Sequence, residues 1–293
     1  MTTFRLIGAG RAGRSIHQAL EATGRYRCVG ILGRDDDLAD AAQGVDLLII
    51  ATPDQAVGEV ARAVTPVTST TVLHLSGSLG LGVLIPHPRR ASVHPLVPLP
   101  NAEVGALRLA SGISFAVAGD SMARRVVEDL AGRAFAVADG DRDRYHAAAA
   151  IAANHLVALL GQVERVAATV GLPLDAFAGL VRAATDDAMA LGPRQALTGP
   201  AMRGDWDTVE RHRRELRTMA GSRTELSGYD AMVAMARRLS LEEAESVPTG
   251  PGVPSVSDVD LGRDLLEALW DVEVDVAGPE FQVPALAAVE DVA

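Results

Sequence analysis

Gly8-Ala9-Gly10-Arg11-Ala12-Gly13 is a complete G-x-G-x-x-G sequence that follows an apolar strand pattern at residues 4–7. It opens a helical pattern, and a second strand pattern at residues 28–32 comes soon afterwards. In a dinucleotide-binding fingerprint, the first glycine makes a tight turn, the second lets the backbone approach a pyrophosphate, and the third lets helix and strand pack closely. The stretch therefore predicts a dinucleotide site whose phosphates lie at a helix N-terminus.

The whole chain divides into three parts. Residues 1–140 alternate β-branched runs with helical stretches, which is typical of βαβ units and a parallel sheet. We predict an α/β fold: a doubly wound Rossmann dinucleotide-binding domain (1–140), an all-helical substrate and dimerisation domain (141–240), and an acidic tail (241–293) whose order the pattern does not determine. The predicted strands are 4–7, 28–32, 46–51, 71–75, 113–117 and 135–137, and the predicted helices of the second part are 143–170, 173–191, 205–219 and 222–239.

Composition and charge exclude several classes of protein. All 27 basic residues are arginine, so a Schiff-base lysine and a P-loop lysine are both excluded. The body of the chain is nearly neutral and the tail is acidic, whereas a nucleic-acid binder needs a basic surface. No apolar run has the length of a membrane span, and no metal-ligand spacing is present. The single cysteine, Cys28, and the absence of a signal-peptide pattern predict a cytoplasmic protein.

The loop after the second strand bears on the choice of cofactor. It reads Gly33-Arg34-Asp35-Asp36-Asp37, with the arginine first. Binders of NADP place an arginine near the 2′-phosphate, whereas binders of NAD place a carboxylate on the ribose 2′-hydroxyl. We therefore predict NADP, held by Arg34, over NAD. The alternative is that Arg34 is a solvated loop residue and that Asp35 binds the ribose of NAD.

Ala51-Thr52-Pro53 follows the third strand, where a doubly wound sheet holds its ligand. The segment is predicted to contact the nicotinamide half of the cofactor through its backbone. Pro53 could equally serve only to begin the next helix.

Two segments leave the predicted sheet on the ligand side, and each carries a candidate catalytic side chain. The first, Leu75-Ser76-Gly77-Ser78, offers Ser76, and the second, Ser92-Val93-His94-Pro95, offers His94. Histidine exchanges a proton with a carbonyl oxygen readily near neutral pH. Among the other histidines, His74 lies within a strand and is predicted to be part of the core.

The helical part offers three further candidates. Asn154 lies on a stripe of small apolar residues and is expected to be buried, so it needs partners: a substrate carbonyl or hydroxyl, or a second helix that it bridges. In the loop Leu197-Thr198-Gly199-Pro200-Ala201-Met202-Arg203, Arg203 is suited to hold a substrate carboxylate and Thr198 adds a hydroxyl. Asp205 is predicted to cap the helix that follows.

These segments together resemble a known bacterial family. The sequences GAGRAG, LSGSLG, VHPLVPLP, AANHLVALL and ALTGPAMRGD occur in that order between residues 3 and 240. Their order is similar to that in a family that joins a Rossmann-like domain to a helical domain long described as of unknown function. The wider superfamily includes ketopantoate, pyrroline-5-carboxylate and β-hydroxyacid reductases and prephenate dehydrogenases. One branch of the family is associated with an alternative ketopantoate reductase.

The resemblance implies roles for particular residues. Ser76 and His94 match the serine turn and the proton-relay histidine of prephenate dehydrogenases. Asn154 matches an asparagine of β-hydroxyacid dehydrogenases, but Ala150 stands where those enzymes have a catalytic lysine. The proton donor is therefore expected to be His94, with Ser76 and Asn154 orienting it and the substrate.

The predicted function follows from these residues and from the resemblance. We expect an NADP-dependent oxidoreductase that transfers hydride between the nicotinamide and a small carboxylate-bearing carbonyl, with ketopantoate as the best single substrate. The alternatives are an imine reductase of a specialised pathway, or a non-catalytic dinucleotide-binding sensor or scaffold that uses the acidic tail. The resemblance also implies a homodimer built through the helical domain.

Overall fold

Within residues 1–241, seven strands form one sheet in the order β2-β1-β3-β4-β5-β6-β7. The strands are β1 Thr2–Ile7, β2 Tyr26–Leu32, β3 Leu47–Ile50, β4 Thr71–His74, β5 Arg89–Pro95, β6 Ser114–Gly119 and β7 Arg133–Ala136. Every residue of β3 and β4 is buried, as expected of a sheet that is covered by helices on both faces. The predicted α/β class and doubly wound fold are confirmed, and the protein is described by a computed structural model of these 241 residues.

Two features of the sheet differ from the sequence prediction. β5 is a strand of the sheet, although its residues were expected to leave the sheet after residue 92. β6 runs antiparallel to β5, whereas βαβ units and a parallel sheet were predicted. The reversal arises because the chain returns to the end at which β5 finishes: the N–H of Leu96 donates to the carbonyl of Ser114 at 2.9 Å. β7 then pairs parallel to β6.

Helices connect the strands and make up the rest of the described chain. Four of them lie between strands: α1 Arg11–Ala22, α2 Asp54–Ala63, α3 Ala102–Leu109 and α4 Met122–Asp129. Residues 142–241 contain seven α-helices joined by short segments: α5 Arg142–Ala150, α6 Leu156–Ala168, α7 Ala178–Leu191, α8 Pro193–Ala196, α9 Pro200–Arg203, α10 Trp206–Arg217 and α11 Ser222–Leu241. The four long helices predicted in this part are confirmed, and the first of them contains a π-helical segment, Ile151–His155. The predicted acidic tail lies outside the described residues.

The apolar core lies on both faces of the sheet because successive strand residues point to opposite sides. Leu47 and Ile49 pack with α1, α3 and α4 on one face. Leu48 and Ile50 pack with α2 on the other face. His74 is fully buried, which confirms its predicted place in the core. This two-sided packing fixes the carboxyl ends of the strands, where the candidate site lies.

Candidate active site

The loop between β1 and α1 forms a narrow glycine cradle. Gly8 has φ +99°, and a Cβ on it would lie 2.8 Å from the carbonyl oxygen of Ala51. A Cβ on Gly13 would lie 2.0 Å from the carbonyl oxygen of Gly8, so helix α1 and the loop could not approach each other with any other residue there. A Cβ on Gly10 would have no neighbouring atom within 4 Å. The open space above Gly10 fits the close approach of a pyrophosphate to the backbone.

The cradle lies at the point where the strand order reverses, between β2 and β3. The N–H of Gly8 donates to the carbonyl of Leu32 at 2.9 Å, and that of Ala51 donates to Ile7 at 2.8 Å. The ends of the first three strands are therefore aligned, as in folds that bind a ligand at such a switch point. Ala9 and Gly10 lie in the loop, and Arg11, Ala12 and Gly13 form the start of α1.

Ala51, Thr52 and Pro53 connect β3 to α2 at the same edge of the sheet, and Pro53 directly precedes the helix. The Oγ1 atom of Thr52 is buried and has no hydrogen-bond partner among the described residues. A buried hydroxyl without a partner is costly, which makes this position suited to a ligand. The cradle and this hydroxyl together fit a dinucleotide cofactor.

Arg34 follows β2 and is exposed, with no hydrogen bond or ion pair to any residue of the described chain. Its neighbour Asp36 is already engaged, because the N–H of Gly33 donates to Oδ2 of Asp36 at 2.6 Å. Asp35 is exposed and is likewise without such a bond in residues 1–241. Both Arg34 and Asp35 are thus free to meet the adenosine half of a cofactor.

The serine turn after β4 is held by the carboxylate of Asp54 at the start of α2. The hydroxyls of Ser76 and Ser78 both donate to Oδ2 of Asp54, at 2.6 Å and 2.8 Å. The N–H groups of Ser78 and Leu79 donate in turn to Oγ of Ser76, at 3.2 Å and 3.1 Å. Ser76 therefore organises the turn and Asp54, and its hydroxyl forms no hydrogen bond with His94 among the described residues.

The hydrogen-bond partner of His94 is Tyr145, on helix α5. The Tyr145 hydroxyl oxygen lies 2.5 Å from Nδ1 of His94, and the tautomer decides which group donates. The two rings are almost perpendicular, with centroids 5.6 Å apart. Burial lowers the pKa of His94 to about 4, and His146 and Arg142 add to that effect. Burial raises the pKa of the Tyr145 phenol to about 12. At neutral pH the imidazole is therefore neutral and the phenol protonated.

Arg142, three residues before Tyr145, fastens the same helix to the same strand. Its side chain is only 1% exposed, and it donates to the hydroxyl of Ser92. Nε and Nη1 of Arg142 have no hydrogen-bond partner among the described residues. Burial lowers the pKa of Arg142 from its ordinary value. The guanidinium thus places a positive charge close to His94.

Gly77 makes room for the histidines of this cluster. A Cβ on Gly77 would lie 2.8 Å from Cε1 of His94 and 2.9 Å from Cδ2 of His146. The ring of His146 is 6.1 Å from that of His94, measured between centroids. Any side chain at position 77 would therefore displace one of the two imidazoles.

Sequence reasoning missed Tyr145, Arg142 and Gly77 and gave Asp54 no role. One signal for the first two was available. Arg142 and Tyr145 are three residues apart in the first helix after the last strand, a spacing that places both on one helix face. Gly77 and Asp54 gave no comparable signal, because their roles depend on contacts between distant segments.

The three candidates from the helical part form no hydrogen bond with this cluster among the described residues. Asn154 is in the π-helical segment and is exposed, because no described element covers its stripe, so the expectation of a buried residue is wrong. It forms no hydrogen bond within residues 1–241, and so bridges no two helices there. Arg203 ends α9, which packs against α10 and α11, and Thr198 precedes that helix. Both are exposed. Asp205 caps α10 as predicted, since it accepts from the N–H of Thr208 at 3.1 Å.

The continuous helix Asp139–Ala168 has the length and composition of a membrane span, and none of its most apolar window is buried. Such a helix is weak evidence for a membrane, and the core helices of other proteins have the same properties.

Comparison with protein families and solved structures agrees with this architecture. Residues 113–235 match the family model described as a domain of unknown function (DUF2520). No curated protein matches the chain. The match and the fold confirm the predicted resemblance to a family of Rossmann-like proteins with a helical domain of formerly unknown function.

Three solved structures share the fold. A protein from Thermotoga maritima is 24% identical with a TM-score of 0.62, over 81% of this chain and 98% of that one. A proposed NADP oxidoreductase from Bacteroides fragilis is 19% identical with a TM-score of 0.65, over the same shares. Pyrroline carboxylate reductase from Plasmodium falciparum, solved with NADP bound, is 12% identical with a TM-score of 0.53, over 82% of this chain and 98% of that one.

Proposed function

We propose that the protein is an NADP-dependent oxidoreductase that transfers hydride between a nicotinamide and a small carboxylate-bearing carbonyl or imine. The observation that carries the proposal is that the glycine cradle and His94 lie along one edge of one sheet, near the carboxyl ends of β1 and β5. The descriptions of two structures of the same fold, a proposed NADP oxidoreductase and a reductase with NADP bound, support it.

The residues of the cradle would hold the cofactor. The N–H groups at the start of α1 would bind the pyrophosphate, Thr52 and its neighbours would meet the nicotinamide half, and Arg34 would bind the 2′-phosphate. When bound, the reduced nicotinamide supplies the hydride. The protein then has to hold the substrate and supply one proton.

His94 would supply that proton to the substrate oxygen or nitrogen. Both His94 and His146 adjoin Gly77, and His94 is the one that lies on a strand of the sheet. Arg203 and Thr198, both exposed, would bind the substrate carboxylate, and Asn154 would bind its carbonyl group. A π-helical segment such as the one that holds Asn154 occurs frequently at functional sites.

The proposal also names two candidate substrates. Ketopantoate, a 2-oxo acid, satisfies the requirement for a carbonyl beside a carboxylate, and the sequence resemblance favours it. A carboxylate-bearing cyclic imine is the second candidate, since pyrroline carboxylate, the substrate named for one structure of this fold, belongs to that class.

The decisive experiment is to follow the absorbance of NADPH, and of NADH in parallel, with each of these two substrates. Oxidation of NADPH with either one supports the proposal and selects the substrate. A preference for NADH would keep the oxidoreductase and overturn the choice of cofactor. No oxidation with either substrate would favour a different substrate or the non-catalytic alternative.

The cofactor choice has its own test in Arg34→Ser. Loss of charge-assisted hydrogen bonds to a phosphate costs about 1.5–3 kcal/mol, so the affinity for NADPH should fall roughly 10–100-fold while that for NADH stays unchanged. Arg27→Ser is the matched control, because Arg27 is another exposed arginine of β2 without a partner in residues 1–241. Equal losses in both variants would contradict the role of Arg34.

We propose a homodimer as the assembly, built through the helical part. Several apolar side chains of this part are exposed in one chain, such as Ile151 (58%) and Met189 (89%). A second copy that covered them would remove apolar surface from water. Light scattering on the purified protein should give twice the mass of the chain.

The single cysteine supports the cytoplasm as the compartment, which fractionation of the source cells would test.

A further inference from the structure

Tyr145 and His94 form a pair that joins the first helix of the second half to a strand of the sheet. Helix positions three apart share a face, and so do strand positions two apart. Arg142 and Tyr145 are spaced in the first way, and their partners Ser92 and His94 in the second. The hydrogen bonds Arg142–Ser92 and Tyr145–His94 therefore lie side by side between α5 and β5. Together they fix the position of the phenol relative to the imidazole.

The direction of the hydrogen bond follows from the acid–base chemistry of a neutral phenol and a neutral imidazole. Among the described residues, the Tyr145 hydroxyl has no hydrogen-bond partner except Nδ1 of His94. A neutral phenol O–H is a stronger hydrogen-bond donor than a neutral imidazole N–H, and the unprotonated imidazole nitrogen is a stronger acceptor than a phenol oxygen. The phenol therefore donates to Nδ1, and the neutral imidazole carries its own hydrogen on Nε2.

Nε2 is left open to a ligand by the neighbouring glycine. A Cβ on Gly77 would lie 2.9 Å from Nε2, so a side chain there would cover this edge of the ring. No residue in the described part of the chain forms a hydrogen bond with Nε2. The edge of the imidazole that faces away from Tyr145 is thus a free donor.

We propose that Tyr145 is a positioning residue that fixes His94 as the Nε2–H tautomer and so adapts the site to reduction. This inference rests on the proposed function. The substrate carbon takes the hydride and its two electrons, and the substrate oxygen or nitrogen takes the Nε2 proton. Nδ1 takes the phenol proton in the same concerted shift, and solvent returns a proton to the partly exposed tyrosine. The net change is the addition of one hydride and one solvent proton to the substrate.

The test uses nitrogen-labelled histidine in the full-length protein without substrate. A correlation of imidazole nitrogens with ring hydrogens reports which nitrogen of His94 is protonated. We expect Nε2–H in the native protein and a mixture of tautomers in Tyr145→Phe. A second pair provides the matched control: the Tyr229 hydroxyl lies 2.8 Å from Nδ1 of His212, with the rings at 82°. Tyr229→Phe should leave the His94 signal unchanged.

Kinetics complete the test. Tyr145→Phe should lower kcat roughly 10²-fold, the lower end of the range for lost proton transfer, with KM changed less than threefold. Tyr229→Phe should leave both constants unchanged. A native protein with hydrogen on Nδ1 of His94 would overturn the inference, and so would an unchanged kcat in Tyr145→Phe. Absence of turnover in the native protein would instead count against the proposed function, and the tautomer would still be decided by the spectra.

Discussion

The two halves of the described chain bury their apolar residues very differently. Residues 1–140 supply almost all of the buried apolar side chains, whereas residues 141–241 supply Ala167, Val209 and Leu216. Several large apolar side chains of the second half are largely exposed, such as Val170 (72%) and Leu180 (69%). A sheet between two layers of helices closes its own core, but the helices of the second half form no such closed layer within residues 1–241.

The difference in burial shows that the two halves are not stabilised in the same way. The first half is stabilised by its own packing and carries the cofactor cradle on a rigid edge. The second half contributes Arg142 and Tyr145 to that edge from its first helix. Its remaining apolar faces are largely exposed within residues 1–241. Matched substitutions in the two halves test this difference in the burial of apolar side chains.

The largest difference in the free energy of unfolding is expected between alanine substitutions of two isoleucines, one in each half. Ile49 is fully buried in β3, whereas Ile151 is 58% exposed. Ile49→Ala should lower the free energy of unfolding by about 2–5 kcal/mol, because it leaves a cavity in a closed core. Ile151→Ala should cost less than about 1 kcal/mol, since most of its side chain is already in water. Urea denaturation of dilute protein measures both, and similar losses would contradict the contrast.

The contrast also explains how much the sequence could predict. The glycine cradle was predictable because Gly8 and Gly13 belong to one short motif whose strand, turn and helix are local. Strand β5 was missed because it begins with Arg89 and Arg90 and ends with a proline, which breaks the apolar strand pattern. The direction of β6 depends on where the chain returns to the sheet, and periodicity carries no information about that.

The candidate site was predictable only in part, for the same reason. His94 was found because it precedes a proline in a segment predicted to leave the sheet on the ligand side. Its partner Tyr145 is 51 residues away, and the contact depends on how α5 packs against β5. The burial of Asn154 was predicted wrongly, because a stripe of small residues indicates a packed face without showing whether the same chain covers it.

The second effect concerns pH and the buried histidine His74. Burial lowers its pKa in the folded protein to about 4, against about 6.5 in an unfolded chain. Between these values the unfolded chain binds a proton that the folded protein excludes, so the folded state is destabilised as the pH falls. The stability is complete above pH 6.5 and should decrease by about 2 kcal/mol by pH 5 from His74 alone. Urea denaturation at a series of pH values measures the slope.

The variant His74→Gln tests whether the pH dependence of the free energy of unfolding comes from His74, in the first half. His74→Gln removes the titrating group but retains an acceptor for the N–H of Ser76, which donates to Nδ1 of His74 at 3.2 Å. The slope between pH 6.5 and 5 should become shallower, and the part that remains should come from His94, whose pKa is also lowered to about 4. If His74→Gln leaves the slope unchanged, the destabilisation originates elsewhere.

A smaller effect is expected from two asparagines. Asn101 caps α3 in the first half, where its side-chain oxygen accepts from the N–H of Val104 at 2.9 Å. Asn154 has no such bond within residues 1–241. Asn101→Ala should lower the free energy of unfolding by about 1 kcal/mol, the usual cost of losing an N-cap. Asn154→Ala should leave stability within about 0.5 kcal/mol and raise KM for the substrate. A stability loss in Asn154→Ala as large as in Asn101→Ala would show that Asn154 has a structural partner.

The smallest effect on the single chain is expected at Met189, which is 89% exposed at the end of α7. An exposed side chain contributes little to folding, so Met189→Ser should leave the free energy of unfolding of dilute protein within about 0.5 kcal/mol. If a second copy covers this face, the same substitution removes apolar surface from the interface and shifts dimer dissociation to higher protein concentration. Sedimentation over a range of concentrations separates the two effects. A native protein that stays monomeric at every concentration would show that the exposed faces of the second half have some other partner.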